Sequence, residues 1–185
     1  MRTDRRAVKT LLQAESAPSR FAQRCLATCA VPVGGLALDI PCGAGRHIET
    51  LRARGYAVVG ADLSADLLKE ASRRSGQNSS IQVNTAFVRL DGSRALPFTE
   101  SAFDMVLVVH FFLPGLVRRL STLVKPGGYF ILETFGAHGG NHAHLPVKGQ
   151  VRNELSGEWM VVEDHERSVR SAIDRQVVQF FCRRK

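Results

Sequence analysis

A chain of 185 residues with 44% apolar side chains can bury one core, which argues for a single domain. No apolar run reaches the roughly 20 residues of a membrane-spanning helix, and no apolar stretch follows the charged Met1–Lys9, so a secretory leader is not expected and a cytoplasmic location is. The formal net charge of +8 invites a nucleic-acid partner, but Arg2, Arg5, Arg6 and Lys9 at one end and Arg183, Arg184 and Lys185 at the other hold most of it. Charge gathered on the ends argues against a nucleic-acid surface and fits a small anionic substrate or solubility as well.

Taken in order, residues 5–15 read as a helix with Val8, Leu11 and Leu12 on one side. A second helix opens at Ser16 to Ser19, with Pro18 in its first turn, and carries Phe21, Cys25, Leu26 and Cys29. Cys25 and Cys29, four apart, share a face; no CxxC pair exists among the four cysteines, so reduced thiols are expected and a zinc site is not. Pro32, Gly34 and Gly35 end the helical pattern. Strand Leu36–Ile40, helix Arg46–Arg54, strand Tyr56–Ala61 and helix Ser64–Arg74 follow, the last with Ser64 as cap. After a polar loop over Ser75–Ser80, a third strand ends at Phe87–Leu90, and Asp104–Val109 is a fourth, apolar enough to be buried on both faces. Leu113–Val124 reads as helix, Lys125-Pro126-Gly127-Gly128 as a turn, and Tyr129–Phe135 as the fifth strand. Strands alternating with helices imply a parallel sheet covered on both faces. Trp159–Glu163 and Gln176–Cys182 break that rhythm, since no amphipathic helix separates them, and they read as an antiparallel pair.

The chemistry starts at Leu38-Asp39-Ile40-Pro41-Cys42-Gly43-Ala44-Gly45-Arg46, a strand running through a glycine-rich turn into a helix. Such a turn lets a ligand approach the backbone and offers N–H groups at a helix start. Asp62 ends the next strand, about 20 residues on, where an acid binds ribose hydroxyls, and Asp91 follows the third, where an acid can accept from an adenine amino group. Three acids at the carboxyl ends of successive strands line one crevice of a doubly wound sheet.

As a set these residues resemble the class I S-adenosylmethionine-dependent methyltransferases: Asp39 to Gly45 as their first motif; Asp62, Asp91, Leu96-Pro97-Phe98 and Phe103-Asp104 as later ones; Leu123-Val124-Lys125-Pro126-Gly127-Gly128 as the element before the fifth strand. Ala17-Pro18-Ser19-Arg20-Phe21, Cys42-Gly43-Ala44-Gly45-Arg46-His47, Glu133-Thr134-Phe135, Asn141, Leu145-Pro146, Gly149 and Val177-Val178-Gln179 resemble the small bacterial tellurite-resistance TehB-like methyltransferases. The resemblance implies a doubly wound, mostly parallel, seven-stranded Rossmann-like sheet with a C-terminal antiparallel pair. It implies one domain: a helical cap over 1–35, a cofactor-binding core over 36–135, and a substrate loop and last strands over 136–185. The implied cofactor is S-adenosyl-L-methionine, leaving as S-adenosyl-L-homocysteine. Asp39 would fix the turn and approach its ammonium group; Gly43 and Gly45 would let its methionine part pass, with Pro41, Cys42, Ala44 and Arg46 as further cofactor-binding residues of the turn; Asp62 would bind the ribose and Leu63 pack on the adenine; Asp91 and Gly92 would read the adenine edge. Pro41 stands where many relatives carry Gly or Ala; lacking an N–H, it leaves any backbone contact to Cys42 or beyond. A nicotinamide cofactor fits less well, because Gly43-Ala44-Gly45-Arg46-His47-Ile48 lacks the third glycine of that fingerprint.

On the acceptor side, methyl transfer requires in-line alignment and exclusion of water, and a base only where the nucleophile arrives protonated. His110, after the fourth strand, is the candidate beside both cofactor and methyl acceptor, as a pocket-lining or base residue, with Phe111 and Phe112 as walls. His138, His142 and His144, with Asn141 among them, form a loop with metal-like spacing but no carboxylate, so His138 and Asn141 read as substrate contacts and no metal is expected. Ser19, Arg20 and Phe21 cover the site from the N-terminal helix, and Arg20 or Arg46 would attract an anion. The acceptor is read as a small molecule: a thiol, a chalcogen oxyanion or another small nucleophile. The alternatives are an RNA methyltransferase, though Val109-His110-Phe111-Phe112 stands where Asn/Asp-Pro-Pro-Tyr would be, and a cofactor-binding module without catalysis. Monomer and homodimer both remain open.

Overall fold

The computed structural model describes residues 17–77, 84–136, 145–169 and 175–185. The helix expected over 5–15 and the residues His138, Asn141, His142 and His144 lie outside them. In chain order the elements are α1 (Arg20–Thr28), β1 (Leu36–Asp39), α2 (Ile48–Ala53), β2 (Ala57–Asp62), α3 (Ala65–Gln77), β3 (Thr85–Arg89), β4 (Phe103–Val109), α4 (Leu116–Thr122), β5 (Val124–Gly136), α5 (Gln150–Asn153), β6 (Trp159–Val169) and β7 (Arg175–Arg184). The strands form one sheet in the order β3-β2-β1-β4-β5-β7-β6. Strands β1 to β5 are parallel to one another, and β7 runs antiparallel to both β5 and β6. This is the mostly parallel sheet with an antiparallel terminal pair that the strand–helix rhythm implies, in the seven-stranded form that the resemblance implies.

The period-2 alternation of β4 divides the core. Met105, Leu107 and Val109 face the layer that holds Phe21, Cys25 and Leu26 of α1, with Ile48, Leu51 and Leu68. Val106 and Val108 face the layer that holds Leu116, Val117 and Leu120 of α4. A central strand with both faces buried cannot tilt or slip without exposing one set of side chains, so its carboxyl end is a fixed platform. No helix among the described residues is long and apolar enough to cross a membrane.

Several boundaries differ from the sequence reading. Pro18 precedes the cap of α1 instead of sitting in its first turn: Ser19 is the cap, its Oγ accepting from Ala22 N at 3.1 Å. α2 starts at Ile48, because residues 43–47 form turns around the left-handed Gly43 and Gly45. Gly45 also lies against α3, where an added Cβ would stand 2.9 Å from that of Ala71. α4 starts after the left-handed Gly115. β5 starts at Val124, pairing there with Phe103, and a register shift takes up Lys125–Gly128 before Met105 meets Tyr129. All four cysteines are free and buried, and the Cys29 thiol bonds back to the Cys25 carbonyl on the face they share.

Candidate active site

β1 and β2 end on acids, Asp39 and Asp62, and Asp91 lies two residues beyond β3. Parallel pairing carries all three to the carboxyl edge of the sheet, yet their surroundings differ. Asp39 has no exposed surface, and neither carboxylate oxygen has a hydrogen-bond partner. Burial pushes its pKa up to about 8; the Arg46 charge opposes that shift and Asp62 adds to it. A buried carboxyl left unpaired is costly, and such groups mark places where a partner is missing.

Both carboxylate oxygens of Asp62 are engaged. Its Oδ2 accepts from Gly43 N at 2.8 Å and its Oδ1 from Ser64 N at 2.9 Å, so it staples the turn after β1 to the turn after β2. Cys42 N donates to Ala61 O at 2.9 Å. The glycine-rich turn thus spends the N–H groups of Cys42 and Gly43 on its own structure, where the sequence reading expected them to be offered to a ligand. Pro41 follows Ile40 through a cis peptide bond. Gly43 has open space where a Cβ would stand, which leaves room for close approach. Ala44 and Arg46 lie half-buried in the same turn. Leu63, next to Asp62, is 58% exposed, a large apolar side chain left open at the crevice. Asp91 folds back on its own turn, its Oδ1 accepting from Ser93 N at 2.9 Å and Ser93 Oγ at 2.6 Å, and the Ser93 hydroxyl holds its pKa below the usual value. Gly92, beside it, faces the half-buried Phe111.

His110 stands at the end of β4, exposed, with φ of +59°. Its N–H donates to Glu133 O at 2.7 Å, extending the β4–β5 ladder by one residue before the chain turns away. Its ring stacks on Phe135, centroids 5.1 Å apart at 27°, and its Nδ1 lies 3.0 Å from a guanidinium nitrogen of Arg46. The left-handed region is uncommon for a non-glycine residue, though His is among the residues that enter it more often.

Phe21, expected as part of the cover, packs in the α1 layer, and Phe112, expected as a wall, packs in the α4 layer, each 3% exposed. Arg20 is exposed at the start of α1.

The sequence reading missed a chain of polar contacts crossing the same edge. Ser19 Oγ donates to Glu133 Oε2, and Gln179 Nε2 donates to Glu133 Oε1 at 2.7 Å. Ser19 N donates to Nε2 of His47, which is 2% exposed and whose pKa falls to about 3, chiefly through burial, so the ring is neutral. His47, Ser19 and Glu133 all lie in strings that mark the resemblance, but nothing local shows that residues up to 114 apart meet.

Residues 37–128 match the family described as the methyltransferase domain. The ubiquinone biosynthesis O-methyltransferase of Chromobacterium violaceum is 36% identical over 107 residues, covering 55% of this chain and 44% of that protein. The chain thus spans less than half the length of that relative. A geranyl diphosphate methyltransferase solved in complex with S-adenosylmethionine aligns with a TM-score of 0.72 at 14% identity, over 89% of this chain and 84% of the other. TehB from Haemophilus influenzae aligns with a TM-score of 0.68 at 14% identity, over 82% and 58%. These two likenesses are of fold. The described residues have the fold of the class I methyltransferases, and residues 37–128, just under half of the chain, match the methyltransferase-domain family.

Proposed function

We propose that this protein is an S-adenosylmethionine-dependent methyltransferase acting on a small-molecule acceptor in the cytoplasm. One observation carries the reading: the buried carboxyl of Asp39, without a partner, beside the open turn at Gly43. An ammonium group arriving there would supply the missing partner and favour the ionised form. The other residues suit the same ligand. Asp62 keeps acceptor capacity for ribose hydroxyls beyond its two backbone bonds, since a carboxylate offers about four lone-pair sites. Leu63 offers apolar surface to an adenine. Asp91 and Gly92 flank the adenine edge, and Asp91 would exchange its bonds to Ser93 for that contact.

When bound, the cofactor supplies an electrophilic methyl on a sulfonium centre and leaves as S-adenosyl-L-homocysteine. The chain's own task is alignment and exclusion of water. The ladder bond to Glu133 and the stack on Phe135 hold the His110 ring at the strand end. The Ser19–Glu133 contact holds the start of α1 against the same edge, with Arg20 beside it. His138 and Asn141, in the segment after β5, remain candidates for acceptor contact, and no metal is required for the transfer.

The curated relative is by name an O-methyltransferase, which supports an oxygen acceptor. Likeness to the TehB-like group keeps thiols and chalcogen oxyanions in view. Calorimetry with S-adenosylmethionine and with NAD tests the cofactor: binding of NAD alone sinks the reading. A methyl-transfer screen over phenols, thiols and chalcogen oxyanions then tests the acceptor, and binding without turnover across that screen would favour the non-catalytic alternative.

A further inference from the structure

We infer that His47 is a positioning residue that couples the cofactor turn to helix α1, so that the acceptor side of the site is set in place once the cofactor lies along that turn. The inference rests on the methyltransferase reading above and adds a route between the two halves of the site.

The route starts in the turn after β1. Gly45 N donates to Cys42 O at 2.9 Å and Ile48 N to Gly45 O at 3.2 Å, so the residues around His47 form one hydrogen-bonded unit. Backbone and side chain of His47 serve different helices. Its carbonyl accepts from Leu51 N at 3.0 Å and opens α2, while its Nε2 accepts from Ser19 N, 28 residues earlier, at 3.0 Å. A backbone N–H can only donate, so Nε2 is unprotonated and the neutral ring carries its hydrogen on Nδ1. Burial, helped by the charges of Arg46 and His110, holds the ring neutral with a pKa of about 3, which keeps this bond intact around neutral pH.

Ser19 passes the constraint on. Its carbonyl accepts from Gln23 N at 3.0 Å, and its hydroxyl accepts from Ala22 N at 3.1 Å and donates to Glu133. The residue that caps α1 is thus held from one side by the cofactor turn and from the other by β5. Asp62, through Gly43 N, braces the same turn from β2. A ligand lying along residues 43–47 restricts that unit. A group already held costs less to order when the next ligand arrives, which gives positive coupling without a change of shape. What α1 presents at this edge is Arg20, exposed at its first position. His47 itself is 2% exposed, so it acts through Ser19 and not by touching the acceptor.

Amide hydrogen exchange in the full chain, with and without S-adenosyl-L-homocysteine, reads the coupling, because exchange reports local opening. In the wild type the ligand is expected to slow exchange at Ala22 and Gln23 by about 5-fold or more, the lower end of couplings between sites. Unchanged exchange at these amides with the ligand bound overturns the inference. His47→Phe keeps a ring in the buried place and removes the acceptor nitrogen. It is expected to bind the ligand in calorimetry and to lose the slowing at α1. His47→Gln, whose amide oxygen reaches about as far as Nε2, is expected to keep it. Slowing that persists in His47→Phe means that the ligand reaches α1 by another path, and a folded variant that no longer binds means that His47 serves the cofactor itself. Either result overturns the inference, as does equal behaviour of the two variants. If His47→Phe does not fold, the 15N spectrum of the wild-type His47 imidazole decides: hydrogen on Nδ1 is expected with and without the ligand, and hydrogen on Nε2 rules out the tie to Ser19. Failure of the wild-type chain to bind S-adenosyl-L-homocysteine sinks the methyltransferase reading, whereas binding without slowed exchange at α1 sinks the coupling alone.

Discussion

Ser19, the cap of α1, and Glu133, near the end of β5, are hydrogen-bonded to each other through their side chains. The same hydroxyl accepts from Ala22 N, so one oxygen both closes the helix start and fixes it to the strand. Gln179 on β7 holds the other carboxylate oxygen of Glu133, which ties α1, β5 and β7 together at the carboxyl edge.

Ser19→Ala removes the cap bond and the bond to Glu133 in one step. Loss of a cap costs roughly 1 kcal/mol, and a half-satisfied carboxylate adds to it, so the expected loss of stability is about 1–3 kcal/mol. Ser19→Thr should keep most of it. Urea unfolding of the two variants decides, and equal midpoints for wild type and Ser19→Ala would remove the latch.

Asp62 is built into the turn as well as aimed at the crevice. Asp62→Ala is therefore expected to lower stability by roughly 1.5–3 kcal/mol, the cost of losing hydrogen bonds to a charged group, and to weaken S-adenosylmethionine binding more than that. Asp62→Asn keeps one carbonyl acceptor for Gly43 N or Ser64 N, not both, and should fall between. Calorimetry beside thermal unfolding separates the two effects. An unchanged Kd in a folded Asp62→Ala variant would contradict the ribose role.

Much of this arrangement is legible in the sequence because it is local. An apolar run such as Asp104–Val109, a GxG turn after a short strand and an acid at each strand end are patterns within a few residues, and the fold places them as their order implies. What escaped is set by distance. Insertion of β7 between β5 and β6 depends on pairings such as Ile131 with Phe181, which no local pattern encodes. Phe21 and Phe112 sit beside site residues in sequence, but helix phase and the turn after β4 send both rings into the core. The spending of Cys42 and Gly43 N–H groups on Ala61 and Asp62 is likewise a contact between two turns.

Two buried groups give the stability of the protein without cofactor a definite pH dependence. The His47 pKa falls from 6.5 to about 3, so the unfolded chain binds more protons and stability rises with pH from about 3 to 6.5. The Asp39 pKa rises from 3.8 to about 8, so the folded chain binds more protons and stability falls with pH from about 4 to 8. The two slopes oppose each other up to pH 6.5, and above it the Asp39 decline stands alone. Asp39→Asn should abolish the decline between pH 6.5 and 8 in urea unfolding series. A decline that survives the substitution would assign it to another group.

Leu63 offers a test free of the stability changes that complicate the acids. At 58% exposed it contributes little to the core, so Leu63→Ala should shift stability by no more than about 0.5 kcal/mol, as surface substitutions do. If an adenine covers it, its apolar surface leaves water only when the cofactor binds. Burying a leucine side chain is worth roughly 1.5–3 kcal/mol when complete, and coverage by one face of a ring removes part of that surface. Leu63→Ala should therefore weaken S-adenosylmethionine binding about 5- to 10-fold, by the conversion of 1.4 kcal/mol per tenfold. Leu63→Met, which keeps the apolar bulk, should stay near wild type. Calorimetric Kd values for the three chains, with thermal midpoints as control, carry the test. Equal affinity in all three would mean that the adenine lies elsewhere, and the assignment of Asp62 to the neighbouring ribose would lose its support with it.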